Sequence, residues 1–243
     1  MLKQSDYYIN AYWGSRIHRL SRLSDAVFEC LSCLASSHPL FIKWMRPSRA
    51  HAEAVQQLVP INQLSIEQLM HDYVDGKKSV YHTTNGIPIT IELWNEDVVQ
   101  NAAVFSLSVI LRDTLRQADI NTCGVRFSSI ANLSSIERLI DILTCFVSAW
   151  DPDVAVVNSY SYLGSNHHQG MFPPVGWITY VHAASDLLPP LPTAYRVTKL
   201  SPGGSLIVAS RHQLLGENQE HMSLLDEIGV TLSRSGFLEL RTH

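Results

Sequence analysis

The stretch IPITIELW, Ile87 to Trp94, has an aliphatic side chain at every second position. A second stretch, AVFSLSVIL from Ala103 to Leu111, repeats this alternation. Successive side chains of a strand point to opposite faces of the sheet, so one face of these strands meets a core and the other meets solvent. This one-sided pattern is typical of antiparallel sheets. The two stretches therefore predict a largely antiparallel sheet.

Two amphipathic helices are predicted by apolar residues that recur at helical spacing. The first spans Ser21 to Ser37 and ends at SSHP, because the residue before Pro39 is pushed out of helical space. The second begins after Ser134, whose side chain can form a capping box with Glu137 in the first turn of the helix. Its apolar face consists of Ile136, Leu139, Ile140, Leu143 and Val147. Each helix has one apolar face, so both are expected to pack on the sheet.

Shorter elements complete the expected order. Helices are predicted at residues 49–58, 65–74 and 217–234, the second of them ending before the turn signal Asp75-Gly76. Further strands are predicted in YYINAYW, CGVRFSSI, the centre of DPDVAVVNSYSY, GWITYVH, YRVTKL and SLIVAS. The SPGG sequence between the last two is a tight hairpin, in which Gly203 and Gly204 are free to adopt positive φ.

These elements predict an α+β fold, with a largely antiparallel sheet and helices packed on it. A single domain is expected over residues 1–243. A weak internal sequence similarity, referred to below as the echo, is compatible with two similar α/β lobes at about residues 1–120 and 121–243. The echo consists of QLSIEQL against NLSSIERL, and of Trp44 against Trp150, each after a strand and a helix.

The composition is that of an ordered globular protein, with 46% hydrophobic and 16% charged residues among 243. No apolar run approaches the roughly 18 residues that span a bilayer. The opening MLKQSDYYIN lacks the apolar segment of a signal peptide. The expected location is therefore the cytoplasm, without a membrane partner. A net charge of -4 argues against an extended surface for direct nucleic-acid binding.

Negative charge is concentrated in the middle of the chain. Residues 61–110 carry two lysines and six acidic side chains. Such a segment can present a negative face to a cationic partner and accelerate encounter with it. The candidate contact residues in this segment are Asp72, Asp75, Glu92, Glu96 and Asp97.

The cysteines are interpreted as core residues. CLSC, from Cys30 to Cys33, has the CxxC spacing of redox and zinc sites. It falls in the middle of a helix, however, where the helix dipole does not lower a thiol pKa. Cys30 continues the apolar stripe of that helix. Neither Cys123 nor Cys145 belongs to a second CxxC that would complete a zinc site.

The sequence SNHHQG places His167 and His168 side by side in a polar loop. Adjacent side chains on an extended segment point in opposite directions, so the two imidazoles do not readily share one metal ion. A metal site would need further ligands, for which His182, Asp151 and Asp153 are available in principle. We interpret the histidines as a loop that contacts a partner. The alternative is a metal-dependent hydrolase of unfamiliar type centred on this loop.

Motifs of other enzyme classes are absent from the sequence: it contains no GxSxG elbow, Walker loop, GxGxxG or HExxH. The sequence therefore predicts a protein that works through its surface, without catalytic residues, metal or cofactor. A scaffold protein with some other partner is a further reading of the same absence.

The order and spacing of seven motifs resemble the bacterial immunity protein 52 family over nearly the full length of the chain. They are YYINAYWGSR (7–16), HPLFIKW (38–44), WDPDVAVV (150–157), PVGWITYV (174–181), LPPLP (188–192), GGSLIVAS (203–210) and LLGENQEHM (214–222). Within them, the Trp-Gly and Trp-Asp-Pro pairings that match the family are interpreted as fold determinants, since Trp fills a core and Gly allows close backbone approach.

The resemblance implies a function. Members of the family inhibit cognate toxins of polymorphic toxin systems, which carry restriction-endonuclease-like nuclease domains and are often delivered by type VI secretion. The immunity protein binds its toxin in the cytoplasm and protects the producing cell and its kin. The resemblance thus implies a nuclease inhibitor that acts by protein–protein interaction, with stoichiometric occlusion as the mechanism. It leaves the oligomeric state open.

Overall fold

The computed structural model of the chain describes residues 7–46, 58–78, 87–95, 103–111, 120–127, 133, 135–159, 162, 173–200, 203–214 and 217–241. Within these ranges the fold is α+β, as predicted. Helices lie on an antiparallel sheet of ten strands. None of the described helices combines the length and apolarity needed to cross a membrane.

The strands are short at the edges of the sheet and long at its centre. Their bounds are β1 Tyr7–Trp13, β2 Trp44–Met45, β3 Leu58–Val59, β4 Ile87–Trp94, β5 Ala103–Leu111, β6 Asn121–Phe127, β7 Val154–Ser159, β8 Ile178–Val181, β9 Arg196–Leu200 and β10 Gly204–Val208. The order across the sheet is β3-β2-β4-β5-β6-β1-β7-β8-β10-β9. Strand β1 therefore lies between a first half built from β2–β6 and a second half built from β7–β10, and it pairs antiparallel with β6 and β7.

Four α-helices are described: α1 Leu20–Ser37, α2 Gln63–Lys78, α3 Ile136–Trp150 and α4 Gln219–Arg234. Helices α1, α2 and α3 form a layer on one face of the sheet. The stacked rings of Trp13 and Trp150, with centroids 5.1 Å apart, join α3 to the end of β1. On the opposite face, Tyr162 is close to both Tyr8 of β1 and Asp226 of α4, which places α4 there.

A continuous aromatic chain forms the core under the three-helix layer. Successive ring centroids lie between 5.8 and 6.5 Å apart. The rings, in order, belong to Trp177, Tyr7, Phe127, Phe41, Trp44, Phe105 and Phe146. Aromatic groups supply large apolar areas and favour such offset or edge contacts. This series of rings crosses β1 and so joins the two halves of the sheet in one core.

Three local expectations need correction. Helix α2 continues through Asp75-Gly76 to Lys78, because burial of Ile66, Leu69, Met70 and Val74 outweighs the cost of about 1 kcal/mol for a helical glycine. The side chain that caps α3 is Ser135, which accepts a hydrogen bond from the Arg138 amide, and not Ser134. In the hairpin only Gly203 has positive φ. The expected helix at 49–58 lies almost wholly outside the described residues.

A partly buried histidine near the start of the chain gives a pH-dependent prediction. His18 Nε2 accepts a hydrogen bond from Trp13 Nε1 at 3.1 Å. Burial, and then the charge of Arg16, lower the pKa of His18 from 6.5 to about 4. The folded state therefore binds this proton less readily than the unfolded state. The free energy of unfolding therefore has its full contribution from neutral His18 above pH 6.5. This contribution is lost as the pH falls towards 4, because the unfolded state takes up the proton first.

The test compares the wild type with His18→Gln, whose amide oxygen can still accept the Trp13 N–H but does not titrate. We expect the wild type to lose more of its free energy of unfolding between pH 7 and pH 5 than His18→Gln does. Urea unfolding at both pH values measures the difference. His212→Gln, at an exposed histidine, is the control and should follow the wild type. Equal losses in wild type and His18→Gln would contradict the assignment.

Candidate partner-binding sites

A buried carboxylate ties the two ends of the described chain together. Asp153, whose side chain is 2% exposed, lies between α3 and β7. Its Oδ2 accepts hydrogen bonds of 3.0 Å from the Gly14 amide and from the Arg241 amide. Its Oδ1 accepts a hydrogen bond from the Arg241 guanidinium, and Arg16 lies 3.5 Å away. The C-terminal segment is thereby fixed to the end of β1.

The backbone at this junction is tightly packed. A Cβ on Gly14 would lie 2.2 Å from the carbonyl oxygen of Arg241, so only glycine fits. Trp13, Trp150 and Trp177 are each at most 5% exposed. These residues belong to the motifs that resemble the immunity protein family, and their interpretation as fold determinants is confirmed.

Asp151 and His182, two of the potential ligands considered for a metal site, contact each other next to this junction. His182 Nδ1 lies 3.0 Å from Asp151 Oδ1 and 3.4 Å from the Tyr180 hydroxyl. Asp151 has a φ of 43°, a left-handed conformation that ends α3. Among the described residues, no group of three or more His, Cys, Asp or Glu side chains is arranged to hold a metal ion. His167 and His168 lie outside the described residues.

The acidic candidates that the structure describes lie on α2 and β4. Asp72 is exposed, accepts hydrogen bonds from Arg46 (2.9 Å) and Gln68 (2.7 Å), and has a pKa lowered first by Gln68 and then by Arg46. Its charge is therefore partly balanced within the chain. Asp75 is exposed three residues further along α2. Glu96 and Asp97 lie outside the described residues.

Glu92 is half-buried on the sheet face opposite the three-helix layer. It alternates with Ile91 and Leu93, which point into the core. Tyr73, between Asp72 and Asp75 on α2, lies close to the Glu92 backbone. The structure thus brings α2 and this part of β4 together. Whether the acidic candidates bind a partner stays a prediction.

A basic pocket at the other end of the sheet was not predicted from the sequence. It has a volume of ≈ 500 Å³ and lies between β9, the segment after β10 and the N-terminus of α3. It is lined by Ser135, Ile136, Glu137, Trp177, Tyr195, Arg196, Arg211, His212 and Gln213. Arg196 and Arg211 are 15 positions apart in sequence and lie on different elements, so no local sequence motif predicts that they line one pocket.

The cysteines divide into two pairs. Cys30 and Cys123 are buried, as expected, and are close enough to interact. Burial, and then the contact with Cys30, raise the pKa of Cys123, which makes its thiol unreactive. The interpretation of Cys33 as a core residue is wrong, because Cys33 is exposed on α1. It forms a disulfide with Cys145 of α3, with a Cα–Cα distance of 5.5 Å.

Comparisons with known proteins agree with this architecture. The family model described as Immunity protein 52 matches residues 5–241. The chain belongs to the immunity protein 52 family. A search of curated proteins finds no significant match.

The fold is also found in a solved structure, that of the Pseudomonas aeruginosa T6SS protein PA0821. The TM-score is 0.55 with 10% sequence identity, and the alignment covers 93% of this chain and 75% of that one. At this identity the likeness concerns the fold alone.

Proposed function

We propose that this protein binds a cognate antibacterial toxin in the cytoplasm and neutralises it by stoichiometric occlusion, the toxin being a nuclease of restriction-endonuclease-like type. Membership of the immunity protein 52 family over residues 5–241 is the observation that carries the proposal. The fold shared with a T6SS protein supports delivery of that toxin by type VI secretion.

The architecture suits a binding protein that keeps its shape. The ten-stranded sheet joins described strands from Tyr7 to Val208, and the aromatic core connects the two halves of this sheet across β1. A preformed surface loses little conformational entropy on binding, so more of the contact energy appears as affinity. An interface of roughly 1,600 Å² on such a surface supports nanomolar or tighter binding. An immunity protein needs such affinity because one escaped nuclease can kill the cell.

The experiment that tests the proposal is toxicity rescue with the product of the neighbouring gene. The candidate toxin is expressed with and without this protein, and the two are then co-purified. Rescue of growth with a stable 1:1 complex is the expected result. A toxin that kills cells equally in both cases, and that fails to co-purify, would reject the proposal.

The acidic segment gives a more specific prediction. Charge reversal in Glu96→Lys/Asp97→Lys is expected to weaken toxin binding about 10-fold or more at low salt and to flatten its salt dependence, because opposite charges steer encounter. Binding kinetics at two salt concentrations measure both effects. The matched control is Glu227→Lys/Glu239→Lys, at two exposed positions on and after α4. If affinity and salt dependence equal those of the wild type, the segment lies outside the interface.

A further inference from the structure

We infer that the pocket lined by Arg196 and Arg211 binds a carboxylate side chain of the partner toxin. This inference rests on the proposed function, since it names a contact within the complex. The pocket lies at the end of the sheet remote from α2 and β4, so it adds a second contact region of opposite charge to the acidic one.

The pocket contains hydrogen-bond donors without acceptors. Arg196 Nε and Gln213 Nε2 are both shielded from solvent, and neither has a hydrogen-bond partner among the described residues. An unsatisfied buried donor is costly, and an acceptor that reaches it recovers that cost. An anionic oxygen that reaches these groups from the pocket supplies an acceptor that the described residues do not provide.

The second arginine is already held at the rim. Arg211 Nε donates a hydrogen bond to the Tyr195 hydroxyl at 3.3 Å, and its guanidinium carbon lies 5.2 Å from the centroid of the Tyr195 ring. This contact orients the guanidinium, so less rotamer entropy is lost when an anion binds its remaining N–H groups. The indole of Trp177, which also lines the pocket, is held in place because its Nε1 donates a hydrogen bond to the Ser210 carbonyl at 2.8 Å.

Local charge favours a carboxylate over a phosphate. Two arginines and the carboxylate of Glu137 line the pocket, which gives a formal charge of +1. Glu137 makes no ion pair with either arginine, so both guanidinium groups stay available within the described chain. One carboxylate neutralises the pocket, whereas a phosphate dianion would leave it negative beside Glu137. The planar fork of a guanidinium also matches a carboxylate in two parallel hydrogen bonds.

The N-terminus of α3 also favours a negatively charged group in this pocket. Ser135 caps this helix and lines the pocket, so the positive end of the helix dipole faces the bound group. A toxin Asp or Glu that enters here would meet two arginines, an amide donor and the end of a 15-residue helix.

The test measures toxin affinity for four variants beside the wild type. Arg196→Gln/Arg211→Gln is expected to raise Kd about 100-fold, since each lost charge-assisted contact costs roughly tenfold. Arg196→Lys keeps the charge but loses the fork, and is expected to raise Kd about tenfold. Arg211→Gln alone, which loses one such contact, is expected to raise Kd about tenfold. The matched control is Lys199→Gln, at an exposed position of the same strand outside the pocket, and should stay within about threefold of wild type.

A titration of the free protein with acetate, at constant ionic strength set by chloride, separates this inference from the proposed function. The Nε–Hε signals of Arg196 and Arg211 and the side-chain amide signals of Gln213 are expected to shift saturably in the wild type. In the double variant, the Gln213 amide signals are expected to lose this response. Absence of saturable shifts would overturn the carboxylate site even if the toxin is neutralised. Saturable shifts with unchanged toxin affinity in the double variant would overturn the assignment of the carboxylate to the toxin. A wild type that fails to bind the toxin rejects both.

Discussion

Replacing Asp153 by alanine is expected to lower the free energy of unfolding by about 4 kcal/mol, because removing one partner of a buried charge pair leaves the other uncompensated. The carboxylate accepts hydrogen bonds from two backbone amides and from Arg241, and Arg16 is 3.5 Å away. Without it, two amides lose their acceptor and two guanidinium groups face each other across a cavity. The C-terminal segment, whose anchor is Arg241, is expected to detach first.

Urea unfolding followed by circular dichroism measures this loss, and protease susceptibility after α4 reports on the detachment. Asp141→Ala, at an exposed position of α3, is the control and should change stability by no more than about 0.5 kcal/mol. Arg241→Ala should fall between the two, since its side chain is 31% exposed and Arg16 remains beside the carboxylate. A loss below about 1 kcal/mol for Asp153→Ala would show that the junction does not hold the ends of the chain.

The strands that were predicted best are those with a strict two-residue period. Strands β4 and β5 have the predicted bounds, because alternation fixes both the face and the extent of a half-buried strand. Strand β1 also has its predicted bounds, although it is buried on both faces. The class of fold follows from the same signal. The order of strands does not, because pairing β1 with both β6 and β7 depends on contacts more than a hundred residues apart.

The helix ends show where local rules give way to packing. Asp75-Gly76 favours a turn when only the local sequence is considered. Helix α2 nevertheless continues through these two residues, because the apolar face of the helix is buried as far as Val74. Ser134 and Ser135 are equally good caps by residue type, so residue type alone does not identify Ser135 as the cap of α3. Where a helix begins and ends therefore also depends on tertiary contacts, which the local sequence pattern does not show.

Candidate sites were predicted only where their residues are close in sequence. The acidic segment could be recognised because six carboxylates fall within fifty residues. The basic pocket could not, because Arg196, Arg211 and Gln213 meet only after β9 and β10 pair and α3 packs beside them. The Asp151–His182 contact was not predicted: both residues were considered only as potential metal ligands, and their contact depends on β7 and β8 lying side by side.

The disulfide between Cys33 and Cys145 gives the second large effect. It links α1 to α3 and closes a loop of 112 residues. Cross-linking residues this far apart removes much of the entropy of the unfolded chain, by about 4–5 kcal/mol in the loop-closure model. We therefore expect oxidised wild type to exceed Cys33→Ser by about 3–5 kcal/mol in free energy of unfolding. Cys33 is the better position to change, because it is exposed and serine fits there, whereas Cys145 is buried.

The comparison carries its own control. In the presence of a reductant, wild type and Cys33→Ser should unfold at the same urea concentration, because neither contains the cross-link. The dependence of unfolding free energy on urea should also be shallower for the oxidised wild type, since a cross-linked unfolded chain exposes less surface. Peptide mapping of the non-reduced protein identifies the bonded pair. Equal stability of oxidised wild type and Cys33→Ser, with the bond present, would mean that α1 and α3 gain nothing from it beyond their packing.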